Sequence, residues 1–458
     1  MYKAYVTRIK NLRKHPNADR LQLGECFGNT VCVDLSYTEG QVGVYFPTDG
    51  QLSVEFAEAN NLLRKKDDAG NNCGGYMDPS KRNVCAIRLR GEKSDGLFLP
   101  LKSLEQFGDV STLREGDTID VFNGHQICQK YIPRTNHRSG SVGSNKTRKK
   151  KVSVAPLFTE HTDTEQLAYN LSAFKPGDEL EITLKMHGTS QRTGYLPVLK
   201  GCKRTFVDWL LHRDGKPIYD WGYVSGTRRT ILENYDGGYY GSNEFREQHS
   251  KTFEGKLWKG ETVYYEVVGF THTGAPIMAE GKNEKLGKDF VKQYGKTTVF
   301  SYGCEPFGFK VIPSDPKIPT TTPKVDFTKP QSDIYVYRMT MTNEDGAVVE
   351  YTPDFMRYRC EQMGVKTVPV LWKGRIPFGL GEDYEGEWIK DMAEQFYDGP
   401  DPIGKTHVRE GVVVRILNRP KFTAYKHKNF EFRVIEGIIK DTASAPDIEE
   451  AQEVENDG

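Results

Sequence analysis

Leu180-Glu181-Ile182-Thr183-Leu184-Lys185-Met186-His187-Gly188-Thr189-Ser190 is the stretch on which the reading of this chain turns. Leu180, Ile182 and Leu184 alternate with Glu181, Thr183 and Lys185, which is the period of a strand with one face buried. Gly188 ends the run. A lysine followed by His-Gly and small hydroxyl residues suits a group that must point into a pocket beside a tight turn. A solvated lysine at a strand end would look the same in isolation, so partners farther along the chain decide.

The 458 residues suffice for two or three domains, each with its own core. Lys plus Arg and Asp plus Glu number 63 each, so the formal net charge is zero and any argument for a nucleic-acid partner must be local. Cys26, Cys32, Cys73, Cys85, Cys128, Cys202, Cys304 and Cys360 show no Cys-x-x-Cys and no paired Cys/His spacing. That pattern disfavours both a zinc ribbon and a disulfide framework, and reduced thiols are expected. Met1 to Val6 carries no apolar signal core, and no run approaches the ~18 apolar residues of a membrane span. A soluble cytoplasmic protein without a membrane partner is expected.

Residues 1–132 hold short alternating segments between Gly, Pro and Asn turns, such as Val31-Cys32-Val33, Val42-Gly43-Val44-Tyr45-Phe46 and Gly96-Leu97-Phe98-Leu99. They predict a small all-β domain. Residues 133–153 shift to Ser, Gly and base, with Lys146, Arg148, Lys149, Lys150 and Lys151, and read as a flexible linker able to attract a phosphate backbone. In residues 154–440 strands interleave with helices expected at Lys282–Tyr294, Pro353–Met363 and Glu387–Tyr397, the second opened by Pro and closed by Gly364. A Pro, Thr and Lys-rich stretch at 310–333 reads as a loop or lid, and the acidic residues 441–458 as a disordered tail. The fold class is therefore α+β.

Three later segments carry charge where a strand should be apolar. Glu266 interrupts Glu261 to Phe270, and Glu410 stands at the mouth of the continuous apolar run Val412-Val413-Val414. From Phe422 to Arg433 the alternation puts Lys426 and Lys428 on the same face as Phe422, Ala424, Phe430 and Phe432, the more apolar one. Two inward lysines cost too much unless they meet anions, and a bound polyphosphate would supply them.

In chain order, Lys185-Met186-His187-Gly188-Thr189-Ser190, Tyr223-Val224-Ser225-Gly226-Thr227-Arg228-Arg229, Tyr265-Glu266-Val267-Val268-Gly269, Asp333 to Met339, Glu410-Gly411-Val412-Val413-Val414 and Lys426-His427-Lys428 resemble the motifs of the covalent nucleotidyltransferases, specifically their RNA ligases. Each motif is weak alone; six in order are a strong signal. Relatives that act on DNA or cap RNA usually carry Asp where this chain has His187, whereas Lys-x-His-Gly-Thr is similar to phage and editing-type RNA ligases. A second resemblance joins it: His15-Pro16-Asn17-Ala18-Asp19-Arg20-Leu21 and Arg90-Gly91-Glu92-Lys93-Ser94-Asp95-Gly96-Leu97 look like tRNA-binding OB domains. It implies an OB-like β-barrel that grips nucleic acid ahead of an adenylyltransferase domain of ATP-grasp-like antiparallel sheets with flanking helices. Turn-forming residues alone would also give the first of those two motifs.

The resemblance implies an ATP-dependent RNA ligase joining 3′-hydroxyl to 5′-phosphate RNA ends, monomeric, at work in RNA repair, in an infected host's cytoplasm if of phage origin. Lys185 would attack the α-phosphate of ATP and carry AMP. The attacking amine must be unprotonated, which nearby Lys426, Lys428 and a bound Mg²⁺ or Mn²⁺ favour. Lys426 and Lys428 would grip the α-phosphate, Glu410 would hold the hydrated metal, and Gly188 would belong to the nucleotide site. Glu266 would bind ribose hydroxyls, Arg228 ribose or phosphate, and Tyr337 would stack on adenine, while His187 would act once AMP passes to RNA. Arg338 follows Tyr337 where Asp is usual, which keeps Tyr335 open as the stacking residue, and Arg229 stays an alternative to Arg228. Two other readings are a non-catalytic RNA- or tRNA-binding protein, and a capping guanylyltransferase or DNA ligase with the same lysine chemistry. Intact Lys185, Glu266, Glu410, Lys426 and Lys428 argue against the non-catalytic one.

Overall fold

The structure, a computed structural model, describes the chain except residues 1, 68–69, 71–72, 133–151, 162–163, 207–214, 233–234, 236–239, 241, 309, 313–323, 327–328, 381–385 and 442–458. The basic linker, most of the expected lid and nearly all of the acidic tail therefore lie outside the described residues. Two compact units divide the chain. One comprises Met1–Thr135, Gly281–Lys296 and Phe430–Pro446; the other comprises Asn136–Glu280, Thr297–Asn429 and Asp447–Gly458.

In the first unit, Leu97–Pro100, Val42–Phe46, Ala4–Arg8 and Thr118–Ile119 pair in that order as an antiparallel sheet over a core that includes Val6, Val44, Phe46, Phe56 and Ile127. Lys10–Lys14, Leu21–Cys26 and Asn29–Asp34 form a second sheet, and Cys128–Lys130, Gly50–Leu52 and Asn83–Val84 a third. The expected strands form, but the all-β expectation is corrected: Val54–Ala59 is an α-helix capped by the Ser53 side chain and Leu101–Phe107 a 3-10 helix, and among the described residues the strands pair as separate short sheets rather than one closed barrel. The two motifs read from the sequence meet here. Buried His15 hydrogen-bonds Leu89 O through Nε2 at 3.1 Å and accepts from Asn17 N at 3.0 Å, and the Asn17 amide donates to Arg90 O at 3.0 Å.

The segment Phe430–Asp441 is a helix, which corrects the strand expected to continue through Arg433. It also clusters with the first unit, where the sequence had placed it in the second domain. The physical reason is a set of clasps: Arg88 Nη2 donates to Glu431 at 2.9 Å, Lys93 lies over the Phe430 ring at 4.9 Å, and Arg433 pairs with Asp95 at 2.5 Å. Gly281 lies so close to the same helix that a Cβ there would stand 2.1 Å from Ile435. The expected helix at Lys282–Tyr294 is broken in two by Gly287, whose φ of +99° separates the turn Glu284–Leu286 from the helix Lys288–Tyr294.

The second unit is built on two sheets. The first runs Glu165–Gln166, Thr423–Lys428, Gly411–Ile416, Glu179–Lys185 and Val370–Arg375. The second runs Lys216–Gly226, Thr189–Lys203, Glu261–Gly269, Ser332–Thr342 and Val348–Glu350, with Lys366–Thr367 alongside Ser332–Thr342 in parallel. Leu180, Ile182, Val412 and Val414 bury one face of the first sheet against Ile389 and Ala393 of the helix Glu387–Tyr397. Val263, Tyr265, Val267 and Val336 bury one face of the second against Phe245 of the helix Glu244–Lys251 and Met356 of the helix Pro353–Met363. The last helix has the ends expected of it: the Thr352 side chain accepts from Phe355 N, Pro353 opens the first turn, and Gly364 closes it at φ +69°. Among the described residues, no helix is long and apolar enough to cross a membrane. The eight cysteines are free thiols, and burial pushes Cys304 and Cys360 up to about 12.

Candidate active site

The chain crosses from one sheet of the second unit to the other within three residues. Lys185 ends the strand Glu179–Lys185, and Thr189 begins the strand Thr189–Lys203. Met186, His187 and Gly188 make the crossing. The space is too tight for any side chain at Gly188, where a Cβ would lie 2.4 Å from Val267 O and 2.8 Å from Glu266 Cγ. Its N–H donates instead to Glu266 Oε1 at 3.2 Å.

Strand register then gathers the charges. Lys185 is opposite Gly411, and Gly411 is opposite Lys428; one pleat back, Thr183, Val413 and Lys426 line up the same way. Gly411 has φ +148°, and a Cβ there would stand 2.1 Å from His427 O, so the lysine strands close on a residue without a side chain. Glu410, next to it, is 2 % exposed. Its Oε1 lies 2.8 Å from Lys185 Nζ and 3.6 Å from Lys428 Nζ, and its Oε2 lies 3.7 Å from His187 Nδ1.

Lys426 and Lys428 do share a face, but not the more apolar one. The core face carries Tyr425, packed on Phe174 at 5.3 Å, and His427, stacked on Tyr397 at 4.9 Å and 18°. The sequence expectation fails because it counted Phe430 and Phe432, which belong to the helix, where a period of two has no meaning.

The facing surface comes from the second sheet. Ser190, Glu266 and Tyr335 form one cross-strand row, and Arg192, Tyr264 and Arg338 the next. A register shift between Tyr264 and Tyr265 leaves Tyr337 without an opposite residue, and its hydroxyl meets Ser190 Oγ at 2.9 Å. Tyr335 is 5 % exposed, whereas Tyr337 is half-buried. Arg338 lies over Tyr264 at 4.7 Å and is gripped by Glu350, Nε to Oε1 at 2.8 Å and Nη2 to Oε2 at 2.9 Å. Arg228 is half-buried and Arg229 exposed. Buried Arg192 fixes their loop by donating to Thr227 O at 2.9 Å and Arg229 O at 3.1 Å. Arg192 carried no signal in the sequence reading, although an arginine inside the strand that follows Gly188 is the same kind of anomaly as Glu266.

Phe300 and Tyr302 were also missed. Phe300 meets the His187 ring edge-on at 4.5 Å, and the Tyr302 hydroxyl accepts from His187 N at 2.7 Å. They lie in a loop with no periodicity to reveal them.

Glu410 suits a divalent cation in one respect: Oε2 is buried and, among the described residues, accepts no hydrogen bond. No three His, Cys, Asp or Glu side chains gather as a metal cage among the described residues. Such a set fits an ion that keeps much of its water and takes one or two carboxylates, as Mg²⁺ does.

No family model and no curated protein matches the chain. Among solved structures it is similar to the RNA ligase of Naegleria gruberi. A variant of that enzyme with ATP and Mn gives a TM-score of 0.52 at 16% identity over 94% of this chain and 98% of that one. A variant with AMP and Mn gives 0.51 at 16% identity, over 94% and 97%, and the enzyme with PPi gives 0.50 at 17%, over 93% and 96%. The likeness establishes a shared mixed α+β fold along nearly the whole of both chains.

Proposed function

We propose that the protein is an ATP-dependent RNA ligase that joins 3′-hydroxyl and 5′-phosphate RNA ends. The observation that carries the reading is the meeting of Lys185, Lys428 and His187 on the one carboxylate of Glu410, in a fold shared with an RNA ligase whose solved structures hold ATP, AMP, PPi and Mn. Two ammonium groups around a single carboxylate leave positive charge for a triphosphate to neutralise.

In this reading the unprotonated Nζ of Lys185 attacks the α-phosphorus of ATP. The bond to the β-phosphate oxygen breaks, pyrophosphate leaves, and AMP stays on nitrogen. An oxygen of the RNA 5′-phosphate next attacks the same phosphorus, and Lys185 leaves with a proton. A 3′-hydroxyl finally attacks the RNA phosphate and releases AMP. Lys426 and Lys428 hold the α-phosphate oxygens as charge builds on them, and His187 serves the second and third steps. Glu266 binds the ribose beside Gly188, Arg228 ribose or phosphate, and Tyr337 stacks on adenine; its half-buried ring favours it over Tyr335. A Mg²⁺ or Mn²⁺ at Glu410 would supply further charge neutralisation on the triphosphate. The N-terminal unit, with its joined His15 and Arg90 turns, we assign to holding RNA in the manner of an OB domain. RNA repair in the cytoplasm by a monomer completes the proposal.

The test is incubation with α-labelled ATP or GTP and Mg²⁺, followed by a denaturing gel. Label from ATP should stay on the protein, vanish in Lys185→Ala, and pass to a 5′-phosphorylated RNA. Label surviving in Lys185→Ala would overturn the lysine assignment. Label from GTP in place of ATP would point to capping, and failure to seal any RNA end would refute ligation.

A further inference from the structure

The turn that carries His187 is gripped from behind by a loop to which the sequence assigned no role. Phe300 and Tyr302 are 3 % and 2 % exposed. One holds the His187 ring edge-on, with centroids 4.5 Å apart at 78°; the other takes the His187 backbone N–H at 2.7 Å. Two residues apart on one segment, they seize the same histidine by its ring and by its main chain. Tyr302 does so from a left-handed conformation, φ +49°, which a residue with a side chain rarely adopts. Such strain persists only where the surroundings impose it.

The surroundings here do impose it. Tyr302 packs on His407 at 4.5 Å and 81°, and Phe300 touches the same ring at 5.2 Å. His407 is fully buried, and burial lowers its pKa against the opposing pull of Asp401, whose Oδ2 lies 3.7 Å from its Nε2. Its Nδ1 meets Val408 O at 2.9 Å, which puts the proton on Nδ1, since a carbonyl can only accept. Fully buried Asp401 shapes the supporting loop by accepting from Ile403 N at 2.8 Å, Gly404 N at 2.9 Å and Thr406 N at 3.3 Å. The two loops then approach so closely that a Cβ on Gly404 would stand 2.6 Å from Gly303 N, and Ser301 Oγ meets Thr406 Oγ1 at 3.2 Å. A hydrophobic filler in place of Tyr302 would pack as well against His407. Only a hydroxyl gives the His187 amide an acceptor.

We infer that Tyr302, with Phe300, is a positioning residue that sets His187 for the transfer of AMP from Lys185 to the RNA 5′-phosphate. The inference rests on the proposed ligase reading. Tyr302 touches no reacting atom; it acts through the turn and through the imidazole, whose Nδ1 faces Glu410 Oε2.

Tyr302→Phe keeps the ring and removes the acceptor. Loss of one hydrogen bond to a half-buried amide corresponds to about a tenfold change in rate. In single-turnover assays the variant should pass AMP to RNA about tenfold more slowly, with unchanged affinity for RNA and for ATP. A double-mutant cycle with His187→Ala separates positioning from general stability: with the imidazole gone, Tyr302→Phe should add little further loss to that step. Phe300→Leu should behave likewise. Undiminished AMP transfer in Tyr302→Phe, or losses that simply multiply with those of His187→Ala, would overturn the inference. A wild-type protein that takes no label from ATP would instead refute the ligase reading itself.

Discussion

Glu261 and Glu410 are buried carboxylates of the same unit, 0 % and 2 % exposed, and both meet cations. Around Glu261 every position is filled. Its Oε1 accepts from Arg359 Nε at 2.9 Å and Tyr351 Oη at 3.0 Å, and its Oε2 from Arg359 Nη2 and Trp258 N, each at 2.8 Å. The guanidinium matches the carboxylate one to one, and Trp258 covers it at 3.8 Å. Around Glu410 two flexible ammoniums crowd one oxygen, while the other accepts no hydrogen bond among the described residues. A pair that serves the fold is balanced and closed. The proposed nucleotide site is unbalanced, with two ammoniums on one carboxylate.

The same substitution at one cation of each region tests this contrast. Arg359→Met strands a buried carboxylate and should lower the unfolding free energy by about 3–5 kcal/mol, read by urea titration. Lys428→Met leaves Glu410 paired with Lys185 at 2.8 Å, so it should cost clearly less stability than Arg359→Met. Its AMP transfer from α-labelled ATP should nevertheless fall roughly a hundredfold or more. Equal losses of stability in the two variants would erase the distinction.

His249 gives a buried group of a third kind, uncharged and on the structural side. Burial lowers its pKa from 6.5 to about 4, against the opposing pull of Asp333, and its Nε2 meets Ser332 Oγ at 2.9 Å. Above about pH 6.5 neither folded nor unfolded chain protonates it, and nothing is lost. As pH falls from 6.5 towards 4, the unfolded chain takes a proton that the folded one refuses, so stability should drop by ~3 kcal/mol. His249→Gln should remove that part of the pH slope. An unchanged slope would mean that this histidine titrates normally in the fold.

The smallest expected effect separates the two tyrosines of the strand Ser332–Thr342. Tyr337→Ala should raise the KM for ATP about tenfold through lost base stacking. Tyr335→Leu, which removes the ring of a residue only 5 % exposed, should leave it near wild type. The reverse ranking would move the adenine to Tyr335.

Much of this architecture could be read locally. The helices Pro353–Met363 and Glu387–Tyr397 agree with their sequence bounds, because an N-terminal Pro and the spacing of Trp388, Met392 and Phe396 are short-range signals. The strand period before Lys185 held for the same reason, since alternation needs only neighbours. It failed at Phe430, where a strand gives way to a helix after one residue and the aromatic spacing does not mark the change.

By itself the sequence determined the strand that carries Lys185, the order of the charged segments and the fact that Lys426 and Lys428 share a face. Tertiary structure decided which charges meet. Gly411 lies opposite both Lys185 and Lys428 only because the strand Glu179–Lys185 settles in register against a hairpin more than 200 residues farther along the chain, and that register is set by Ile182 and Val412, which pack into one apolar core. It likewise decided that Tyr302 would hold His187: a contact across 115 residues has no local period and follows from loop packing alone.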